Sequence, residues 1–574
     1  MSFITENYSE ETGKKYERKF FSKTFDPRNR EELEKEYIEF LKEDVQTKEG
    51  LERFTEKWSE LAAIVDEAGS LSYVGMTSDT KNEKAEKDYL HLVENIFPLC
   101  QVYEDRVKEK FLSSPALNQL NSEYYALFIK QVRSEKEIYR EENISLHTKD
   151  SLLAQNYQKI TGAWMAEFEG KRRTMQEINV FLESPDRDLR ERAYRTRVGV
   201  HLQDAENLEN LFDEMLNTRA KIASNAGFSN YRDYKFVAGG RFDYTPSDCL
   251  RFHDAIAETI SPLLSEWTKE KCSKLGISSL RPWDISVDPD AKEQIRAFGG
   301  EEEFLEKTGK IFDSIHPRLG SYFQFMRKEK LLDLSSREGK APGGYMTELT
   351  ERRVPFIFMN AVGTKRDVET LLHEAGHSFH AFLCREQILK GYRSSPLEFA
   401  EVASMSMELL GRKHFDFIYR KEDIQRVKKE QLVKIVEFFP FMSMIDSFQH
   451  WVYTAKENGR KERGDKWQEL NKKFQPFLDM SGLSEIERTR WQYPHVYTSP
   501  FYYIEYGIAQ VGALQIWKNS LESSDRSILQ YMNGLSKGGS LSLPELFASA
   551  GIRFAMDKKT LSELLELIKK ELEF

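Results

Sequence analysis

Two histidines four residues apart, set among apolar residues that recur every three or four positions, commit this chain to a helix around residues 364–391. The run is His373-Glu-Ala-Gly-His377. At 100° per residue, Val368, Leu372, Ala375, Phe379, Phe382 and Leu383 share one broad face. His373, His377 and His380 gather on the other side, with Glu374 at its margin. Thr364 followed three residues later by Asp367 is a capping-box signal for the start, and Gly391 is the expected end. Gly376 costs such a helix about 1 kcal/mol relative to alanine. Its place mid-helix therefore calls for the close approach of another backbone or of a substrate.

Imidazoles at i and i+4 on one face, with a carboxylate beside the first, form the donor pattern of a zinc hydrolase, most often a peptidase. A catalytic zinc needs a third protein ligand. His380 is near, but three ligands along one side of a single helix do not converge on a tetrahedral centre. It suits a supporting role or a substrate contact. The alternative is a carboxylate from a second helix. Ser395-Pro396-Leu397-Glu398 reads as a start, with Ser395 at the cap, Pro396 in the first turn and Glu398 three beyond the cap. Glu401 and Glu408 follow seven apart, hence on one face. Glu401 is the expected third ligand, and Glu408 the residue expected to orient a liganding histidine.

His373-Glu-Ala-Gly-His377, Phe399-Ala-Glu401-Val-Ala-Ser404 and Glu408 together resemble the thimet oligopeptidase/oligoendopeptidase F family of zinc metallopeptidases, on its oligoendopeptidase F side. The lead-in Asp367–His373 and the stretch Gly339-Lys-Ala-Pro-Gly-Gly-Tyr345 are similar to that family too. So, less specifically, are Leu182–Arg187 and Gly227–Tyr231. The resemblance spans roughly residues 150–560. It implies a mainly α fold of two helical lobes flanking a deep substrate channel, with zinc at its floor and a small β-sheet beside the zinc helix. It implies one Zn2+ per chain, held by His373, His377 and Glu401.

Val354-Pro-Phe-Ile-Phe-Met-Asn360 is a short apolar run, read as a strand. Pro355 would confine it to a sheet edge or a strand start, and an edge there could take an extended peptide by β-addition. Residues 491–506 are dense in rings with polar tips. The family carries a histidine and two tyrosines in its C-terminal third. Across a one-residue gap these fall on His495, Tyr503 and Tyr506, with Tyr502 the alternative to Tyr503. Their implied task is hydrogen bonding to the oxyanion of amide hydrolysis, where one donor contributes about 3 kcal/mol.

The expected activity is hydrolysis of internal bonds in oligopeptides, with Glu374 as general base towards a metal-activated water. An exopeptidase of the same build is the rival within hydrolases. A peptide-binding protein with a vestigial site is the rival outside them, and it would have no use for Glu374.

A chain of 574 residues is long enough for several domains. A boundary near 190 is expected, between an N-terminal helical lobe (1–190) and a catalytic domain (191–574). A net charge of −10 argues against nucleic acid as a partner. Cys100, Cys249, Cys272 and Cys384 show no short-range pairing, which suits a reducing compartment. The first seven residues lack a leader pattern and no long apolar run follows, so a cytoplasmic protein without a membrane span is expected. Residues 30–145 read as long amphipathic helices, for example Leu33, Tyr37 and Leu41. Residues 160–176 read as a hairpin turning at Gly170, and residues 560–573 as a last amphipathic helix.

Overall fold

Helix dominates, as the apolar spacing requires. The computed structural model describes residues 12–290 and 295–572. The stretch 1–7 read for a leader lies outside them, as does residue 573 at the end of the last expected helix. Within the first 140 residues, Arg30–Phe40, Lys48–Ser78, Phe97–Leu112 and Ser122–Ile138 are helical. Asn29, Thr47 and Asn121 cap three of them through their side chains. Leu33, Tyr37, Phe40, Phe54, Trp58 and Phe111 meet in one buried cluster. The last helix runs Lys558–Leu572. No described helix is long and apolar enough to cross a membrane.

Two small sheets interrupt the helices. Strands β1 (Met165–Phe168) and β2 (Lys171–Thr174) pair antiparallel across Glu169 and Gly170, both with positive φ. This is the expected hairpin, turning where glycine tolerates the left-handed conformation. The second sheet contains β3 (Leu332–Ser335), β4 (Tyr345–Leu349) and β5 (Val354–Ala361), in the order β3-β5-β4. The apolar run at 354–360 is thus a strand, but a central one rather than an edge. It pairs parallel with β3 and antiparallel with β4. Pro355 is tolerated as its second residue, opposite Glu348. A peptide added to this sheet would meet β3 or β4.

The chain forms two compact units, each assembled from separated segments. Within the described residues, the first comprises 12–141, 295–429 and 508–555, and the second comprises 142–290, 430–507 and 556–572. Contacts thus divide the chain differently from a single border at 190. That position falls in the first turn of the helix Arg187–Asn225, capped by Asp186.

Candidate metal centre

The motif helix runs Lys365–Cys384. Thr364 and Asp367 form the expected capping box, and the Asp367 carboxylate also accepts from the backbone N–H groups of Val362 and Gly363. The helix stops seven residues before Gly391, which instead sits in the short 3-10 turn Lys390–Tyr392. Val368, Leu372, Ala375, Phe379, Phe382 and Leu383 are all buried. The opposite side is also largely covered, by the helix Leu397–Gly411.

Gly376 marks that contact. A Cβ there would stand 2.6 Å from the carbonyl oxygen of Ala403 and 2.6 Å from Cα of Ser404. The close approach expected of this glycine is made by backbone, and it brings Glu401 to the histidines. The cap of the second helix differs from expectation. Pro396 is the capping residue, no side chain caps the end, and the hydroxyl of Ser395 donates to the Pro396 carbonyl.

One ligand atom each from His373, His377 and Glu401 lies within 4.8 Å of the other two. Oε2 of Glu401 is 3.3 Å from Nε2 of His373 and 3.6 Å from Nε2 of His377. Donors around a tetrahedral zinc with bonds of about 2.0–2.3 Å stand about 3.3–3.8 Å apart. Donor types and spacing therefore fit the ion. The side chain of Glu401 is only 4 % exposed, whereas those of His373 and His377 keep 23 % and 16 %. The cluster is closed behind and open on the histidine side, as a site that admits substrate must be.

The surroundings orient these donors. Nδ1 of His373 donates to Oε1 of Glu408 at 2.7 Å, which leaves Nε2 as the ring's acceptor, facing Glu401. The hydroxyl of Ser404 shares its one proton between Oε2 of Glu401 at 2.9 Å and the Glu401 backbone carbonyl at 3.0 Å. Tyr531 donates to the Ala403 carbonyl at 2.7 Å, bracing the backbone that crowds Gly376. Sequence reasoning missed Ser404 and Tyr531. Ser404 stands three past Glu401, a spacing that could have flagged it. Tyr531 is joined only by the tertiary fold. His380 is not in the donor cluster. It is buried with its ring edge-on to Phe399, and burial pushes its pKa down to about 3.

The charges are strongly coupled. Burial disfavours the imidazolium of His373, but its hydrogen bonds to Glu401 and Glu408 outweigh this and raise its pKa well above the usual value. Burial lowers His377 to about 4, against the pull of Glu401. Glu374 is 7 % exposed, and burial pushes its carboxyl up to about 7 while His373 and the Met346 N–H on β4 oppose it. A proton or a metal cation must compensate Glu401 and Glu408, and the imidazoles supply two neutral donors for the metal.

The aromatic run at 491–506 belongs to the second unit. His495 lies on the short helix Pro494–Thr498, held by Arg219, which donates to the carbonyls of Val496 and Tyr497. The His495 ring meets Tyr503 edge-on at 4.7 Å and Tyr506 at 6.2 Å. Tyr503 is 5 % exposed, and burial drives its phenol far above the ordinary range. Tyr502 and Tyr506 are partly exposed and pack on each other at 4.9 Å. Phe501, just before them, has a φ of 66°, a strained conformation for this residue type. It is pinned by its N–H donating to Oε1 of Gln449 at 2.7 Å and by Arg241 donating to its carbonyl.

The chain is similar to known proteins over most of its length. A protein from Borreliella burgdorferi described as an oligoendopeptidase F homolog is 23 % identical, over 94 % of this chain and 95 % of its own. Oligoendopeptidase F, chromosomal, from Lactococcus lactis subsp. cremoris is 24 % identical, over 68 % of this chain and 65 % of its own. The solved structure of PZ peptidase A with inhibitor 2 superposes with a TM-score of 0.90 at 26 % identity, covering 98 % of this chain and 99 % of that one. Residues 20–139 match the peptidase M3 N-terminal domain, and residues 180–565 match peptidase family M3 itself. The chain therefore belongs to peptidase family M3 and is a metallopeptidase.

Proposed function

We propose that this protein is a zinc-dependent endopeptidase that hydrolyses internal bonds of oligopeptides. The observation that carries the reading is the convergence of His373, His377 and Glu401 with Glu374 beside them. His373, His377 and Glu401 would hold one zinc ion per chain, which would supply Lewis acidity to the scissile carbonyl and to water. Glu374 accepts the proton of the attacking water and delivers it to the departing amine. Glu408 holds His373 in the tautomer that presents Nε2. Ser404 fixes the Glu401 carboxylate, and His380 supports the helix from its buried side. His495 and Tyr506, together with one of Tyr502 and Tyr503, are proposed to donate hydrogen bonds to the oxyanion. The partly exposed rings of Tyr502 and Tyr506 favour them over buried Tyr503 for direct contact with substrate.

The endopeptidase reading is supported by the names borne by the relatives, including oligoendopeptidase F from Lactococcus lactis. None of the four cysteines, three of them buried, is in a disulfide, which suits the reducing cytoplasm. The test is cleavage of a peptide of about ten residues blocked at both ends, followed by mass spectrometry. Internal cleavage that a chelator abolishes and zinc restores is the expected result. A requirement for a free terminus would instead make the enzyme an exopeptidase.

A further inference from the structure

The second unit holds a buried cluster that peptide hydrolysis does not use. Cys249 and His253 stand four residues apart on the helix Pro246–Leu275, and Asp446 and His450 four apart on the helix Lys421–Val452. Each pair therefore points from one face of its helix. One ligand atom each from Cys249, Asp446 and His450 lies within 4.8 Å of the other two. All three residues are buried, at 0 %, 0 % and 3 % exposure.

Oδ2 of Asp446 is 3.2 Å from Nε2 of His450 and 3.0 Å from Nε2 of His253. These atoms are close, yet not aligned as hydrogen bonds. Both carboxylate oxygens of Asp446, both ring nitrogens of His450 and Nε2 of His253 lack a hydrogen-bond partner although buried. The rings of Phe236 and Phe501 meet His450 edge-on at 5.8 and 5.4 Å, so water has little access. A carboxylate in such a box requires a cation. Oδ2 of Asp446 and the Nε2 atoms of His253 and His450 gather at one buried point, where a cation would meet the carboxylate and an imidazole together.

We propose that Cys249, Asp446 and His450 bind a second divalent metal ion of the zinc type, apart from the peptidase centre. Sulfur, imidazole and carboxylate from i,i+4 pairs on two helices make a zinc donor set. A protonated His450 would meet the charge of Asp446, but it would give no role to the Cys249 sulfur that stands within 4.8 Å of both. His253 supports the site from outside, with Nδ1 2.9 Å from the Ser447 hydroxyl and Nε2 beside the Asp446 carboxylate. This is the part Glu408 plays towards His373. The ion would tie the two helices together within the second unit.

The test is zinc stoichiometry by mass spectrometry on the full-length dialysed protein, together with the absorption spectrum of its cobalt(II) form. Two zinc ions per chain are expected, falling to one in Cys249→Ser and to one in His373→Ala/His377→Ala. Cobalt should give a near-ultraviolet thiolate charge-transfer band that Cys249→Ser removes, because His373, His377 and Glu401 offer no sulfur. The band is read on the unmutated chain and so does not depend on a variant folding. A single zinc that His373→Ala/His377→Ala abolishes, with no thiolate band, would overturn the proposal and leave the peptidase reading intact. A single zinc kept by that double variant and lost in Cys249→Ser would support this site and count against the other.

Discussion

Gly376 and Ala403 are in contact through backbone alone: the space for a Cβ on the glycine is taken by the alanine's carbonyl oxygen, 2.6 Å away. This contact sets the distance between the helix that carries His373 and His377 and the helix that carries Glu401. Gly376→Ala should force the helices apart at a cost of about 1–3 kcal/mol, despite alanine's better helix propensity. Chelator competition should show weaker zinc binding, alongside a lower melting temperature. Unchanged zinc affinity would mean that the spacing is not set there.

Glu408 acts on the site through Nδ1 of His373. Glu408→Ala should lower metal affinity by about 10–100-fold, the usual effect of removing a carboxylate that orients a liganding histidine. Ser404→Ala, which loses one hydrogen bond to Glu401, should have a smaller effect of about 1 kcal/mol. Equal losses in the two variants would contradict this ordering.

Glu348, on β4, lines a small cavity with Arg353, Arg385 and Arg393. Burial raises its carboxyl to about 7, while Lys390 and Arg393 oppose the shift and Asp66 adds to it. A carboxyl raised in the folded state binds more protons folded than unfolded between about pH 4.3 and 7, so folding stability falls as pH rises through that window. Glu348→Gln mimics the neutral acid. The difference in melting temperature from the parent should be smallest at pH 4, below the window, and should grow in favour of the variant up to pH 8. An equal difference at both values would show that the Glu348 carboxyl is not raised by folding.

If Tyr506 and His495 donate to the oxyanion, Tyr506→Phe and His495→Ala should each lower kcat by about 100–1,000-fold with little change in KM. A rise in KM at unchanged kcat would assign them to substrate binding instead.

Much of the site was legible in the sequence because its information is local. His373 and His377 are bound by helix spacing, and Thr364 with Asp367 by a four-residue cap. Glu401 required one inference, that a carboxylate on the next helix would face the same point. What was not legible is tertiary. The strand at Val354–Ala361 is central because β3, a short and partly polar segment, pairs with it, and nothing in Leu332–Ser335 announces that pairing. Ser395 has the composition of a cap, but the chain turns one residue later, at Pro396. The pairs Cys249/His253 and Asp446/His450 carry the same i,i+4 signal as the motif, yet only the fold brings the two helices together.

The most direct measurement is made on Glu374→Gln. The substitution keeps the shape of a side chain adjacent to His373 and removes only its capacity to take a proton. Zinc content should stay at the parental value while kcat on the end-blocked peptide falls by at least about 100-fold. A variant that keeps its zinc and still cleaves at the parental rate would contradict the assignment of Glu374 as the base.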